Sequence, residues 1–201
     1  MNLRSPSPYW LLRHGLMYSY PSLWQNIKTG IAIIGAGISG ALVAHQLCEA
    51  GYQAAMFDRQ HAGMGSTAAS TSLLQYEIDM PLHQLINLCG KENAVRSYQL
   101  CWQAITDIEK ICSKLNDKDL FVRKPSFQYA SSKQDSKLLK QEYKLRKEAG
   151  FSLHLPEEKD IETKFGFKKP AGLLSRDGAE ADGYKITHRL LQKNFQRVTG
   201  V

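Results

Sequence analysis

Residues 31–59, IAIIGAGISGALVAHQLCEAGYQAAMFDR, restrict the fold of this chain more than any other stretch. IAIIG is a short apolar β run ending in glycine. ISGALVAHQLCEAG reads as a helix with small residues early and Gly51 as its C-terminal stop. QAAMFD is a second apolar run that closes on Asp58. Strand, tight turn, helix and strand in such a short span make the minimal right-handed crossover unit of a parallel sheet.

The turn itself is Gly-x-Gly-x-x-Gly, formed by Gly35, Gly37 and Gly40. Gly35 permits the tight turn, Gly37 lets the backbone approach a pyrophosphate, and Gly40 lets the helix pack closely on the strand. The helix N-terminus turns its free N–H groups and positive dipole end toward such a phosphate. Asp58, eighteen residues beyond Gly40, is placed to accept hydrogen bonds from ribose hydroxyls and would repel a 2′-phosphate. Arg59 beside it is placed to stack on or near an adenine. Gly35, Ala36, Gly37, Ile38, Ser39, Gly40, Asp58 and Arg59 are therefore candidate dinucleotide-binding residues. By themselves they leave NAD and FAD both open.

The remaining composition excludes several classes. The 201 residues are 43% hydrophobic and 22% charged, which is globular rather than disordered or fibrous. A net charge of +7 raises the question of nucleic acid. The basic residues are interspersed with acids, as in KQDSKLLKQEYKLRKE, and no nucleic-acid motif accompanies them. Residues 133–169 read instead as solvated helical surface, and no nucleic-acid partner is expected. Cys48, Cys89, Cys101 and Cys112 form no Cys-x-x-Cys pair, and Cys101 and Cys112 fall near one helix face. Reduced core thiols in a cytoplasmic protein are expected. The six histidines form no ligand pair at spacings of two to four, so no metal site is expected.

Residues 1–30 carry Arg4, Arg13 and Lys28 without an acid, yet WLLRHGLMY is too short and too polar for a signal-peptide core. Pro6, Pro8 and Pro21, with Tyr9, Trp10, Tyr18, Tyr20 and Trp24, suit an aromatic lead-in packed on the domain surface. No apolar run is long enough to span a membrane.

Beyond Asp58, a small-residue stretch, AGMGSTAASTSLLQYEID, precedes a helical pattern from Leu82 to Leu115 that Gly90 divides into two helices. DLFVRKPSFQYAS predicts one or two short strands around Pro125. SKQDSKLLKQEYKLRKEAG is a charged surface helix ending at Gly150, LPEEKDIETKFG a shorter helix, and PAGLLSRDGAEAD a strand and a turn. Asp182 is a good N-cap for GYKITHRLLQKNFQRV, whose Ile186, Leu190 and Leu191 form a buried stripe. Glu77 and Asp79 read either as a solvated loop or, less simply, as the border of a substrate pocket. Met56 and Met64 read as packing residues.

Taken together, IIGAGISGALVAHQLCEAGYQAAMFDR and GMGSTAASTSLLQYEID resemble the N-terminal half of FAD-dependent oxidoreductases of the D-amino-acid oxidase superfamily. In that family a Gly/Ser/Thr/Ala-rich segment runs beside the cofactor toward the flavin. Gly65, Ser66, Thr67, Ala68, Ala69 and Ser70 match it, and small side chains and hydroxyls suit close approach to a cofactor. DGAEADGYKITHRLL resembles the stretch where an acid caps a helix returning to the cofactor domain; Asp182, Tyr184 and Leu190 match, with Gly183 where proline is common. Some relatives hold the flavin through a histidine after the Gly-Ser-Thr triplet. Ala69 stands there in this chain, so the resemblance implies non-covalent FAD.

It also implies an α/β fold, a Rossmann-type FAD-binding domain with an inserted, incomplete α+β substrate domain. The expected organisation is an aromatic-rich extension over 1–30, an FAD-binding βαβ segment over 31–80, a helical insertion beginning the substrate domain over 81–178, and a return helix over 179–201. Family members continue with further strands, so the chain is expected to be the N-terminal portion of a longer design. The implied reaction is oxidation of an amine or amino acid, with an alcohol less favoured, by hydride transfer to flavin. A non-catalytic nucleotide-binding remnant and an NAD-dependent dehydrogenase are the alternatives. The family's substrate-carboxylate ligands lie mainly beyond this stretch, so no catalytic residue is named.

Overall fold

The computed structural model describes residues 7–198, and side chains through residue 194; Arg4, Pro6 and residues 199–201 lie outside the described residues. The elements run α1 (Tyr9–His14), β1 (Ala32–Ile34), α2 (Ile38–Glu49), β2 (Ala55–Phe57), α3 (Ser66–Ala69), β3 (Leu73–Leu74), α4 (Leu82–Cys89), α5 (Lys91–Ser113), β4 (Phe121–Tyr129), α6 (Lys133–Glu148), β5 (Leu153–His154), α7 (Glu158–Phe165), β6 (Gly172–Ala181) and α8 (Gly183–Val198). They divide into two compact units. The first comprises Met1–Ser72, Cys112–Leu120 and Ala181–Val201, the second Leu73–Ile111 and Phe121–Glu180.

In the first unit β1 and β2 pair in parallel, with Ala32 opposite Ala55 and Ile34 opposite Phe57. Helix α2 is the crossover between them, and Gly51 ends it at φ +86°. α8 packs along α2. Its stripe of Tyr184, Ile186, Leu190 and Leu191 is buried, as the helical spacing predicts. Asp182 caps α8, its Oδ1 accepting from the Lys185 N–H at 2.9 Å. A Cβ at position 183 would stand 3.3 Å from Ser72 Oγ, so glycine fits a crowded cap. Asp117 pins Cys112–Leu120 to α8 through Lys185 at 2.8 Å and Arg189 at 3.3 Å. The Lys185 hydrogen bond leads in holding the Asp117 carboxyl below the ordinary aspartate range.

The aromatic lead-in is packed only in part, and part of it is helical: Trp10 is buried and Tyr18 and Tyr20 are half-buried, while Tyr9 and Trp24 are exposed. Trp10 of α1 joins Ala68 and Tyr184 in a small buried cluster, with Leu11 and Met17 against it. Trp10 Nε1 donates to Ser70 O at 2.8 Å, and Tyr184 Oη donates to Gly15 O at 3.1 Å.

The second unit is built on a sheet in the order β3-β6-β4, with β5 also pairing to β6. β3 and β5 are antiparallel to β6, Leu73 opposite Glu180 and Leu153 opposite Ser175. The expected strand and turn over PAGLLSRDGAEAD is instead one uninterrupted strand, Gly172–Ala181. Gly178, which reads as a turn residue, is there because neighbouring strands crowd it. A Cβ would stand 3.0 Å from Lys124 O and 3.4 Å from Leu74 O. β4 is a single strand running through Pro125, at the end of the sheet order, where a missing N–H is tolerated. Gly90, at φ +81°, separates α4 from α5 as expected. The core gathers Tyr76, Tyr98, Leu82, Ile105, Leu139, Phe151 and Leu173. Tyr76 and Phe151 stack with ring centroids 4.7 Å apart.

Two expectations need correction. α6 is capped by Ser132 and Asp135 as a solvated helix would be, but it is not polar surface throughout. Glu142 and Arg146, at i and i+4, point inward with Leu139 and are buried. The thiols are also unequal. Cys112 is buried, Cys48 and Cys101 are half-buried and Cys89, the last residue of α4, is exposed. Burial pushes the Cys112 thiol up to about 11.

Candidate functional site

The glycine turn takes the form its spacing dictates. Gly35 has φ +106°, a conformation that disfavours any side chain, and its N–H donates to Phe57 O at 2.7 Å, extending the parallel ladder by one step. A Cβ on Gly40 would fall 2.0 Å from Gly35 O, so only glycine lets α2 start this close to β1. A Cβ on Gly37 would meet Thr67 Oγ1 at 3.0 Å.

Thr67 connects two stretches that are separate in the sequence. It is buried, and its hydroxyl accepts from Ile38 N at 3.0 Å, at the first turn of α2. Gly63 N donates to Ala36 O at 2.9 Å, and Ala68 N donates to Gly63 O at 3.0 Å. The Gly65–Ser70 stretch is thereby fastened to the glycine turn. Of its residues, Thr67 and Ala68 are buried, while Gly65, Ser66, Ala69 and Ser70 are exposed. Among the turn residues, Ala36 is buried, Gly35, Gly37, Ile38 and Gly40 are half-buried, and Ser39 is exposed.

Asp58 is exposed at the end of β2, and Arg59 is exposed beside it. The Asp58 carboxylate accepts from Ala36 N at 2.7 Å through Oδ2 and from Gln60 N at 2.9 Å through Oδ1. These two N–H bonds, Ala36 first, hold its pKa below the ordinary aspartate range. It is therefore ionised at neutral pH. Each oxygen keeps a further lone pair for a hydroxyl donor. The brace from Asp58 to the glycine turn was invisible in the sequence, where the residue reads only as a ribose ligand.

Beside Asp58 lies a cavity of about 510 Å³ lined by Met56–His61 on one side and by Tyr20–Gln25 and Ile27 on the other. Residues 20–27 carry no motif. Only their aromatic content set them apart.

The second unit holds a cavity of about 470 Å³, bordered by Glu77, Asp79, Lys124, Ser126 and Arg146 among others. Glu77 is thus at a cavity edge rather than in a solvated loop, whereas Asp79 remains exposed. Behind it is a buried ionic network. Arg146 is 2% exposed; its Nε donates to Glu142 Oε1 at 2.7 Å, and its Nη1 lies 3.5 Å from Glu77 Oε1. Glu142 also accepts from Leu82 N at 2.7 Å, His83 N at 3.2 Å and His83 Nδ1 at 2.9 Å. Burial alone would raise the Glu142 pKa, but the His83 hydrogen bond and the Arg146 charge outweigh it and hold it low. Burial raises Tyr76 to about 12.

Among the described residues no group of three or more His, Cys, Asp or Glu side chains is arranged to hold a metal ion. No helix there is long and apolar enough to cross a membrane.

A parallel strand–helix–strand unit closed by this glycine turn, with an ionised carboxylate ending the second strand, defines a Rossmann-type α/β protein. The family model for FAD-dependent oxidoreductases of the D-amino-acid oxidase group matches residues 30–197, and the chain belongs to that family. A Bacillus subtilis (strain 168) protein, whose name describes a Rieske 2Fe-2S iron-sulfur protein, is 22% identical over 193 residues, covering 96% of this chain and 37% of that protein. The fold matches L-proline dehydrogenase from P. horikoshii with a TM-score of 0.69 at 15% identity, over 86% of this chain and 43% of that one. It matches an L-amino acid deaminase from Proteus vulgaris with a TM-score of 0.73 at 12% identity, over 94% and 47%. For glycine oxidase from Bacillus cereus the TM-score is 0.65 at 16% identity, over 85% and 44%. The chain thus spans less than half the length of these relatives.

Proposed function

We propose that the chain binds FAD non-covalently along the glycine turn and the Gly65–Ser70 stretch, and serves the oxidation of a small amine or amino acid. The observation that carries the reading is the junction at Thr67, which fastens the two candidate stretches into one continuous surface beside the α2 N-terminus. The cradle fits the group. Gly37 leaves the turn without a Cβ at the α2 N-terminus, where the helix dipole favours a pyrophosphate. Asp58, kept ionised by Ala36 N and Gln60 N, accepts ribose hydroxyls and opposes a 2′-phosphate. Gly65, Ser66 and Ser70 offer exposed backbone and hydroxyl groups toward the rest of the cofactor, and Ala69 offers no nucleophile for a covalent link.

When bound, FAD supplies the hydride acceptor for C–H oxidation next to nitrogen. The chain's own residues bind and orient it. The amine or amino-acid class is supported by the relatives of this fold, a proline dehydrogenase, an amino acid deaminase and a glycine oxidase.

The test is reconstitution with FAD followed by anaerobic titration with glycine, sarcosine, proline and other D- and L-amino acids. Flavin absorbance that stays with the protein and bleaches on substrate addition is expected. Retained flavin that no amine or amino acid bleaches would favour a non-catalytic FAD-binding chain. Binding of NADH without FAD would replace both with a nicotinamide dehydrogenase.

A further inference from the structure

The segment between α1 and β1 carries four large apolar side chains into solvent: Leu16, Leu23, Ile27 and Trp24, the last 82% exposed. An indole left this open is costly to hydration unless something covers it. The segment is not a loose tail. Upstream it is tied down by the Trp10 and Tyr184 hydrogen bonds to Ser70 O and Gly15 O. Tyr18 lies against the His188 ring, with centroids 5.8 Å apart. Downstream, Ile31 O accepts from Ala55 N at 2.9 Å as the chain enters the sheet.

Tethered at both ends, residues 20–25 and 27 form one wall of the 510 Å³ cavity whose opposite wall is Met56–His61. That opposite wall contains Asp58 and Arg59. The cavity therefore has an ionised carboxylate on one side and an uncovered indole on the other. Its chemistry suits a ligand that presents hydroxyls to the carboxylate and a flat heteroaromatic ring to the indole, which describes a nucleoside. An aliphatic peptide or a sugar alone would bring Trp24 no flat ring to stack on.

We infer that residues 20–27 are the adenosine-side wall of the cofactor site, and that Trp24 stacks on the adenine ring while Asp58 takes the ribose. This rests on the FAD reading above. It assigns a binding role to a segment lying outside the glycine motif, and makes the N-terminal extension part of the site.

Calorimetric titration of the full chain with FAD, ADP and FMN tests it, because ADP holds the adenosine end alone and FMN lacks it. Losing one base–aromatic stack weakens binding by at least about fivefold. Trp24→Ala should therefore weaken both FAD and ADP by at least about fivefold and leave FMN unchanged, with Trp24→Phe restoring most of the loss. Its exposure means the substitution removes no core packing. FAD and ADP affinities within about twofold of the original in Trp24→Ala would overturn the inference alone, as would an equal loss for FMN. An unsubstituted chain that binds neither FAD nor ADP would overturn the FAD reading, and this inference with it.

Discussion

Removing the Glu142 carboxylate should unfold the second unit far more readily than an ordinary i,i+4 pair would suggest. A solvated pair of this spacing contributes only about 0.3–0.5 kcal/mol. Glu142, however, is buried and serves three partners at once: Arg146 Nε, the His83 ring, and the backbone N–H groups of Leu82 and His83. Those two N–H groups open α4, which starts after Pro81 and has no side-chain cap of its own. Glu142 thus caps a helix sixty residues upstream while neutralising a buried guanidinium. Glu142→Ala leaves the buried Arg146 with only the longer 3.5 Å approach to Glu77 Oε1, a loss of about 3–5 kcal/mol. At about 2–4 °C per kcal/mol for chains of this size, the melting temperature should fall by about 6–20 °C. Circular dichroism melts and urea titrations of both proteins measure it. Replacing both members, Glu142→Leu with Arg146→Met, should recover part of the loss, since the orphaned charge goes but the uncapped N–H groups remain. The pH dependence has a defined sign. The folded Glu142 pKa lies below its unfolded value, so its contribution is present above the ordinary glutamate range of about 4.3 and is lost as pH falls through the lower, folded value. A loss below about 1 kcal/mol for Glu142→Ala would refute the reasoning, because it would place the pair in solvent.

Gly40→Ala should cost at least about 1–3 kcal/mol and weaken FAD retention, since its methyl would lie 2.0 Å from the Gly35 carbonyl; a melt and a flavin titration that match the original chain would count against the close helix–strand approach. Under native conditions Cys89 should react fastest with Ellman's reagent, and Cys112 only after unfolding, because it is buried and its thiol is pushed up to about 11; rapid labelling of Cys112, located by peptide mapping, would contradict its placement. His188 is buried with its pKa lowered by burial, so its neutral form favours the first unit above about pH 6.5 and that contribution is lost as pH falls below the unfolded value. Replacing it with glutamine should flatten that part of the stability–pH curve.

The turn at residues 35–40 was legible because each glycine answers a local steric demand, and local demands are written in local sequence. The helices bounded by Gly90 and Gly150 were readable for the same reason. Gly178 was misleading. A glycine facing neighbouring carbonyls inside a sheet has the same letter as a glycine in a turn, and only the partner strands distinguish them. Glu142 and Arg146 were hidden in a run of charges for a related reason. Burial of an ion pair depends on what the remote segment at Leu82 and His83 presents to it. The joining of Thr67 to Ile38, and the wall that residues 20–27 raise opposite Asp58, are likewise long-range facts without a pattern.

The first unit is assembled from three pieces of chain, with α8 lying along α2. The second is spelled out entirely between Leu73 and Glu180. On a ribosome, the glycine turn would emerge early but remain without its supporting helix until residues 183–198 had followed. Loop closure across that span is slow compared with contacts made inside it. The inserted unit should therefore gain protection from hydrogen exchange first, and the nucleotide cradle, though its glycine turn is made earlier, should become firm after it.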